Sequence, residues 1–342
     1  MRLLVLGGTA FLGHAVARDA LAHGHEVTCV ARGVSGPVPE GARLVGVDRD
    51  DPAAGLGGVE DQAWDGVVDV GRDPGQVGRA ARLLAPRTRH AVLVSTGNVY
   101  ADHSVVGADE STPLLEPLDD GGDGGEDPDG YGARKVACEA HVRGAFGDRR
   151  VLVARAGLIG GPGDASGRSG YWPWRFAHPA VPGEVLVPDA LDDPAQLLDV
   201  RDLAAWLVRC TLDGTAGVVD AVGPTVTLGA LLAAAAEAAG SSARPTPADP
   251  SWLDEQGVQP WMGPRSLPCW LPWAEYAGFA ARSGAAARGL GLVTRPLVDT
   301  LRDALAWEEH ERPAEAPRAA GLTDDDEREL LTAWHTSSPG RV

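Results

Sequence analysis

Two residues four apart, Tyr131 and Lys135 in the stretch YGARKVACEAH at 131–141, have the types and spacing of an acid–base pair. On a helix, that spacing brings both side chains to one face and within reach of a common site. The chain holds 30 lysines and arginines, and this is its one lysine. Tyrosine is a poor base near neutral pH, since its ordinary pKa is about 10. A fixed ammonium beside it favours the phenolate and lowers that value, so the phenol can exchange a proton with an alcohol or carbonyl oxygen. The planar fork of a guanidinium is bulkier and aims its donors differently, so arginine does not replace lysine here.

A second pattern stands near the N-terminus, where GGTAFLG sets Gly7, Ala10 and Gly13 at three-residue steps after a short apolar run and before a helical one. Small residues at those steps let the chain turn sharply, approach a pyrophosphate and pack a helix on a sheet, with the anion held by helix N-terminal amides. Gly7, Thr9, Ala10, Phe11, Leu12 and Gly13 are thus the expected contacts of a dinucleotide, and Lys135 can reach its ribose hydroxyls. The end of the next strand usually carries a carboxylate for a free ribose 2′-hydroxyl. Here it reads VARG, and Arg32 suits a 2′-phosphate, which points to NADP with NAD as the alternative. The other reading of Arg32 is stacking on adenine. Asp48 either accepts from the adenine amino group or is a turn carboxylate.

The elements that would position these residues follow an alternating pattern. Short apolar runs at 3–6, 25–32, 42–47, 64–70 and 90–95 read as strands, and the stretches 10–24 and 74–89 read as helices. The pattern predicts an α/β fold, a Rossmann-type doubly wound parallel sheet, with a smaller α+β C-terminal substrate domain. The expected division is 1–160 for cofactor binding, 161–310 for substrate, partly interwoven with the first, and 311–342 as an acidic tail helix. The polar, glycine-rich stretch 119–130 reads as a surface loop, or as a lid over the lysine segment.

A formal charge of −18 argues against nucleic acid and anionic membranes as partners. The four cysteines are scattered, without metal-ligand spacing, so no metal is expected. The N-terminal run resembles a signal peptide, but Gly7-Gly8-Thr9 interrupts it and fits the strand–turn–helix reading better, so a cytoplasmic protein is expected.

Taken together, LLVLGGTAFLG, VLVSTGNVYAD, DESTPL, YGARKVACE, RAGLIGGPGD and LLDVRDLAAWLV resemble, in order, the motifs of the extended or atypical short-chain dehydrogenases/reductases of the NAD-dependent epimerase/dehydratase superfamily. The resemblance covers most of residues 1 to 210. It implies that Tyr131 is the catalytic acid/base, Lys135 its activator, and Thr96 the hydroxyl orienting the substrate oxygen, with Ser95 the neighbouring candidate. It also implies that Leu158 and Ile159 lie near the nicotinamide. Sugar dehydratases of the superfamily carry an acidic pair after the threonine, where this chain has Gly97 and Asn98, so elimination lacks its carboxylates. Ala10 at the middle glycine is a further departure.

The C-terminal region of extended members forms the substrate pocket, which makes Trp172, Trp174 and Arg175 candidates for stacking and anion pairing, with a packed aromatic cluster the other reading. Arg201 either faces that pocket or pairs with Asp199 or Asp202. The leading expectation is a reductase acting on a small molecule, a sugar or secondary metabolite, as a monomer or homodimer. Nucleotide-sugar epimerisation with a tightly held cofactor needs the same residues. A cofactor-sensing or RNA-associated protein is the reading from another class.

Overall fold

A computed structural model describes residues 1–51, 53–118, 128–313 and 318–337. Seven parallel strands form the central sheet: β1 (Arg2–Leu6), β2 (Glu26–Ala31), β3 (Arg43–Gly46), β4 (Trp64–Asp69), β5 (Thr88–Thr96), β6 (Val151–Ala156) and β7 (Gly217–Ala221). Their order is β7-β6-β5-β4-β1-β2-β3. The interior strands are buried on both faces, which is why they read as unbroken Val, Leu and Ala rather than as alternation. The order reverses between β1 and β4, and at such a switch point the loops leave a crevice beyond the strands' C-terminal ends.

Helices cover both faces. On one side α1 (Phe11–Ala22) packs with α5 (Val200–Asp213), and Leu12, Val16, Leu203 and Leu207 join Val5 and Leu152 in one core. On the other, α2 (Pro74–Leu84) packs with α3 (Pro128–Phe146), setting Val77, Leu84, Cys138 and Val142 against Leu4 and Leu93. Asp73 caps α2 by accepting from the Gln76 amide, with Pro74 at the first helical position, so its start is set locally.

Residues from 158 onward build another apolar cluster. It gathers α4 (Tyr171–Ala177), α6 (Leu228–Ala238), α7 (Leu297–His310), α8 (Asp324–Ser337) and the parallel pair Glu184–Pro188 with Arg244–Ala248. The chain returns to the central sheet with α5 and β7 between these elements.

Helix α8 is acidic in its first turn, yet its inner face is core: Leu330, Leu331 and Trp334 are buried in this cluster. Glu327, fully buried, accepts from the Leu186 amide at 3.0 Å and pairs with Arg175 at 3.0 Å. Residues 119–127, most of the stretch read as a loop or lid, lie outside the described residues. Among the described residues no helix is long and apolar enough to cross a membrane.

Candidate active site

A cleft of about 490 Å³ opens beyond the C-terminal ends of β1, β4, β5 and β6. Its floor is the glycine turn. Gly7 has φ of +98°, and a side chain there would strike Val70, its Cβ lying 2.6 Å from Cγ2. A Cβ on Gly13 would lie 2.1 Å from the Gly7 carbonyl oxygen, so only glycine lets α1 start against the turn. Ala10, at the N-cap, has no side chain to receive the first-turn amides of α1. Those amides are left for an anion, and the helix dipole favours one.

A second pocket of about 210 Å³ adjoins the first and shares Gly7, Ala10 and Val70 with it. Arg32, Ser35 and Asp48 line it. Arg49 lines it too, but its guanidinium is committed to Asp69 through hydrogen bonds of 3.0 and 2.9 Å. Arg32 is exposed and makes no ion pair among the described residues. The Asp48 carboxylate accepts from the Asp50 amide at 3.0 Å, as a turn carboxylate does. Two joined pockets, an uncapped helix start and a turn that excludes side chains suit an extended dinucleotide.

On the opposite wall, β5 ends at Ser95 and Thr96, followed by a single helical turn at Gly97–Val99. The Thr96 hydroxyl accepts from the Asn98 amide at 3.3 Å and donates to the Asn98 side-chain oxygen at 3.0 Å. Helix α3 approaches this turn at Gly132, where a Cβ would lie 2.0 Å from the Asn98 carbonyl oxygen. That contact brings Tyr131, half-buried, into the same cleft as Thr96.

Lys135, one helical turn on, lines the cleft and is only 1% exposed. Its ammonium donates to the carbonyls of Val94 at 2.6 Å and Gly71 at 2.8 Å, which leaves one of its three N–H groups. Burial pushes the Lys135 pKa down and Arg72 adds to this, while Cys138, Asp69 and Glu139 oppose it. Leu158 and Ile159, after β6, line the cleft as well.

The expected substrate contacts are not in this cleft. Trp172 is buried in the second cluster with its indole N–H donated to the Pro268 carbonyl at 2.8 Å. Arg175 is wholly buried, bound to Leu322 and Asp324 at 2.8 Å each, and lies over the Trp174 ring, which Arg318 also covers. Arg201 forks onto Asp199 and reaches Asp303 at 2.6 Å. None of the four lines the cleft, and Trp172, Arg175 and Arg201 give donors to protein acceptors in the structure.

The cleft is instead lined at that end by Arg168, Trp261 and Phe279. The Arg168 guanidinium lies 5.2 Å from the Trp261 ring centroid, and Trp261 meets Phe279 edge-on at 5.4 Å. Trp261 has φ of +69°, a strained setting for a bulky residue. Arg72, three residues past the end of β4, is exposed, lines the cleft and makes no ion pair among the described residues. An arginine at the end of a strand beside the switch point is a readable signal for this last residue. Among the described residues, no group of three or more His, Cys, Asp or Glu could hold a metal ion.

Fold and site define a nucleotide-dependent α/β protein of the doubly wound type. The chain belongs to the NAD dependent epimerase/dehydratase family, whose model matches residues 3–220. It is 29% identical over 222 residues to 2′-dehydrokanamycin reductase of Streptomyces kanamyceticus, a match covering 61% of this chain and 57% of that protein, so little more than half of the relative's length is spanned. Among solved structures, the enzyme WbmH of Bordetella bronchiseptica in complex with NAD+ superposes with a TM-score of 0.67 at 17% identity, covering 91% of this chain and 98% of the other. UDP-glucose 4-epimerase of Thermus thermophilus, complexed with NAD, gives 0.64 at 19% identity, covering 91% and 100%.

Proposed function

We propose that the protein is an NADP-dependent reductase that interconverts a carbonyl and an alcohol on a small molecule. The observation that carries this reading is that Thr96, Tyr131 and Lys135 line one cleft with the glycine turn. A bound nicotinamide supplies or takes the hydride. Thr96 and the Tyr131 phenol hold the substrate oxygen by hydrogen bonds and so orient the adjacent carbon. In the reducing direction, Tyr131 gives its proton to that oxygen as the carbon–oxygen double bond becomes single. Lys135, pinned by two carbonyls, keeps a positive charge behind the phenol and has one donor for a ribose hydroxyl. The match to 2′-dehydrokanamycin reductase supports reduction over epimerisation. Arg168 with Trp261 and Phe279 suits a ring bearing a negative group.

Arg32 carries the preference for NADP. Calorimetric titration with NADP and NAD, oxidised and reduced, tests it: NADP binds more tightly in the parent, and Arg32→Ala narrows the gap by at least about tenfold. Equal affinities in the parent would remove NADP from the reading, and binding of neither would remove the enzyme. Cofactor that co-purifies and does not exchange would move the reading to an epimerase.

A further inference from the structure

Glu139 lies on α3 one turn beyond Lys135 and two beyond Tyr131, and the proton and hydride steps above do not use it. It is only 3% exposed, so its carboxylate must be compensated inside the protein. Compensation comes from two strands. The Ser95 hydroxyl at the end of β5, next to Thr96, donates to Oε1 at 2.5 Å. From β6, Arg155 forks onto the same carboxylate, with Nε on Oε1 at 3.0 Å and Nη2 on Oε2 at 2.7 Å.

The chain of bonds goes on to the substrate end. Arg155 donates to the Tyr100 hydroxyl at 3.1 Å, which donates to Asp220 on β7 at 2.6 Å. Asp220 accepts from Arg282 at 2.7 Å, three residues beyond Phe279. Tyr100, Arg155, Asp220 and Arg282 are each at most 4% exposed.

We infer that Glu139 is a positioning residue of the proposed reaction: it locks α3 to β5 beside Thr96 and balances the buried charge of Lys135 behind Tyr131. This rests on the acid–base role proposed for Tyr131. The charged and titratable groups around this centre are Asp69 and Arg72 from β4 and the residues after it, Cys138 on α3, Arg155 on β6, and Asp164 and Arg168 across the cleft. Asp69 is paired with Arg49 as Glu139 is with Arg155, and of the two pairs the second also bonds Ser95 beside Thr96 and offers charges that can be removed in opposite directions.

The test is an ultraviolet titration of phenolate in the parent, Tyr131→Phe, Glu139→Gln and Arg155→Met. The chain has four tyrosines. Burial, reinforced by Asp220, raises the Tyr100 pKa, and burial with Glu327 pushes Tyr171 up to about 12, so both titrate late. The transition that vanishes in Tyr131→Phe belongs to Tyr131. Removing a negative charge lowers every neighbouring pKa, and removing a positive one raises it. Across about 12 Å of helix, Glu139→Gln therefore moves the Tyr131 transition down by about half a pH unit, and Arg155→Met moves it up. Opposite shifts distinguish charge from packing, which both variants disturb alike, and either variant decides alone if the other fails to fold. Transitions at the parent's pH in both variants would overturn the inference and leave the Tyr131 role standing. Absence of any transition lost in Tyr131→Phe would overturn that role, and this inference with it.

Discussion

At Lys135 a flexible, slim cation sits almost wholly buried in the cleft wall, tied to Val94 and Gly71 by backbone carbonyls rather than by a carboxylate. Carbonyls hold the ammonium without cancelling its charge, and that charge is what a phenol behind a substrate oxygen needs. A guanidinium has more heavy atoms and a fixed plane, so Lys135→Arg overpacks this space. The expected cost is about 1–3 kcal/mol of stability, with weaker cofactor binding, read by thermal melting and calorimetry. An unchanged melt and affinity would contradict the account of why lysine is kept. This pair was legible in the sequence because helical spacing is local. The substrate-side residues were not. Trp261 enters the cleft because residues Gln259–Pro260 pair with Ser266–Leu267 and because Phe279 meets it and His103 edge-on. Neither relation has a periodicity to read. The aromatic cluster at 171–176 stayed between two readings, substrate stacking or a packed cluster, for a related reason: composition reports that Trp and Arg are present, not whether their donors are already taken by Pro268, Leu322 or Asp324.

At the scale of elements, two helices owe their placement to glycines that let backbone meet backbone. Gly13 seats α1 on the glycine turn and Gly132 seats α3 on the turn after β5. A Cβ at Gly13 meets a carbonyl oxygen, which cannot swing aside as a side chain would. Gly13→Ala should therefore separate α1 from the turn and lower dinucleotide affinity by on the order of 100-fold, measured by calorimetry, while α1 and the sheet persist in circular dichroism. Retained affinity would show that the turn is not the cofactor's seat. Strands β1 to β5 and helices α1 and α2 were readable as alternating apolar runs, including the start of α2, because Asp73 and Pro74 are a local signal, whereas β6, α5 and β7 were not read as elements. The pair Glu184–Pro188 with Arg244–Ala248 was not, since three of those ten residues are proline and its partners are far apart in sequence. Helix α8 was legible as an acidic amphipathic helix, but what its apolar face packs against was not, because its partners are residues near 175 and 186.

Over the whole molecule, Asp199 links elements from different parts of the chain. It caps α5 through the Arg201 amide, receives the Arg201 fork, and lies 3.4 Å from Arg295, while Arg201 reaches α7 through Asp303. Burial alone would raise its pKa, but the bonds and charge of Arg201, with Thr300, outweigh that and lower it below 3.8. Because the folded value is depressed, the stabilisation is present above pH 3.8 and is lost as pH falls through the folded value. Asp199→Asn should then cost about 2–3 kcal/mol near neutral pH, and the gap to the parent should close in acid below that point. A gap that stays constant in denaturant melts across this range would show that the charge of Asp199 contributes nothing.

Helix α8 also bears on how the chain acquires its shape during synthesis. All seven strands of the cofactor-facing sheet are available once residue 221 has been made, whereas the cluster beside it is complete only with Trp334. For roughly the last third of translation, α4 and α6 await α7, and the strand Glu184–Pro188 awaits α8, so this is the stretch in which the nascent chain is most exposed to misassembly.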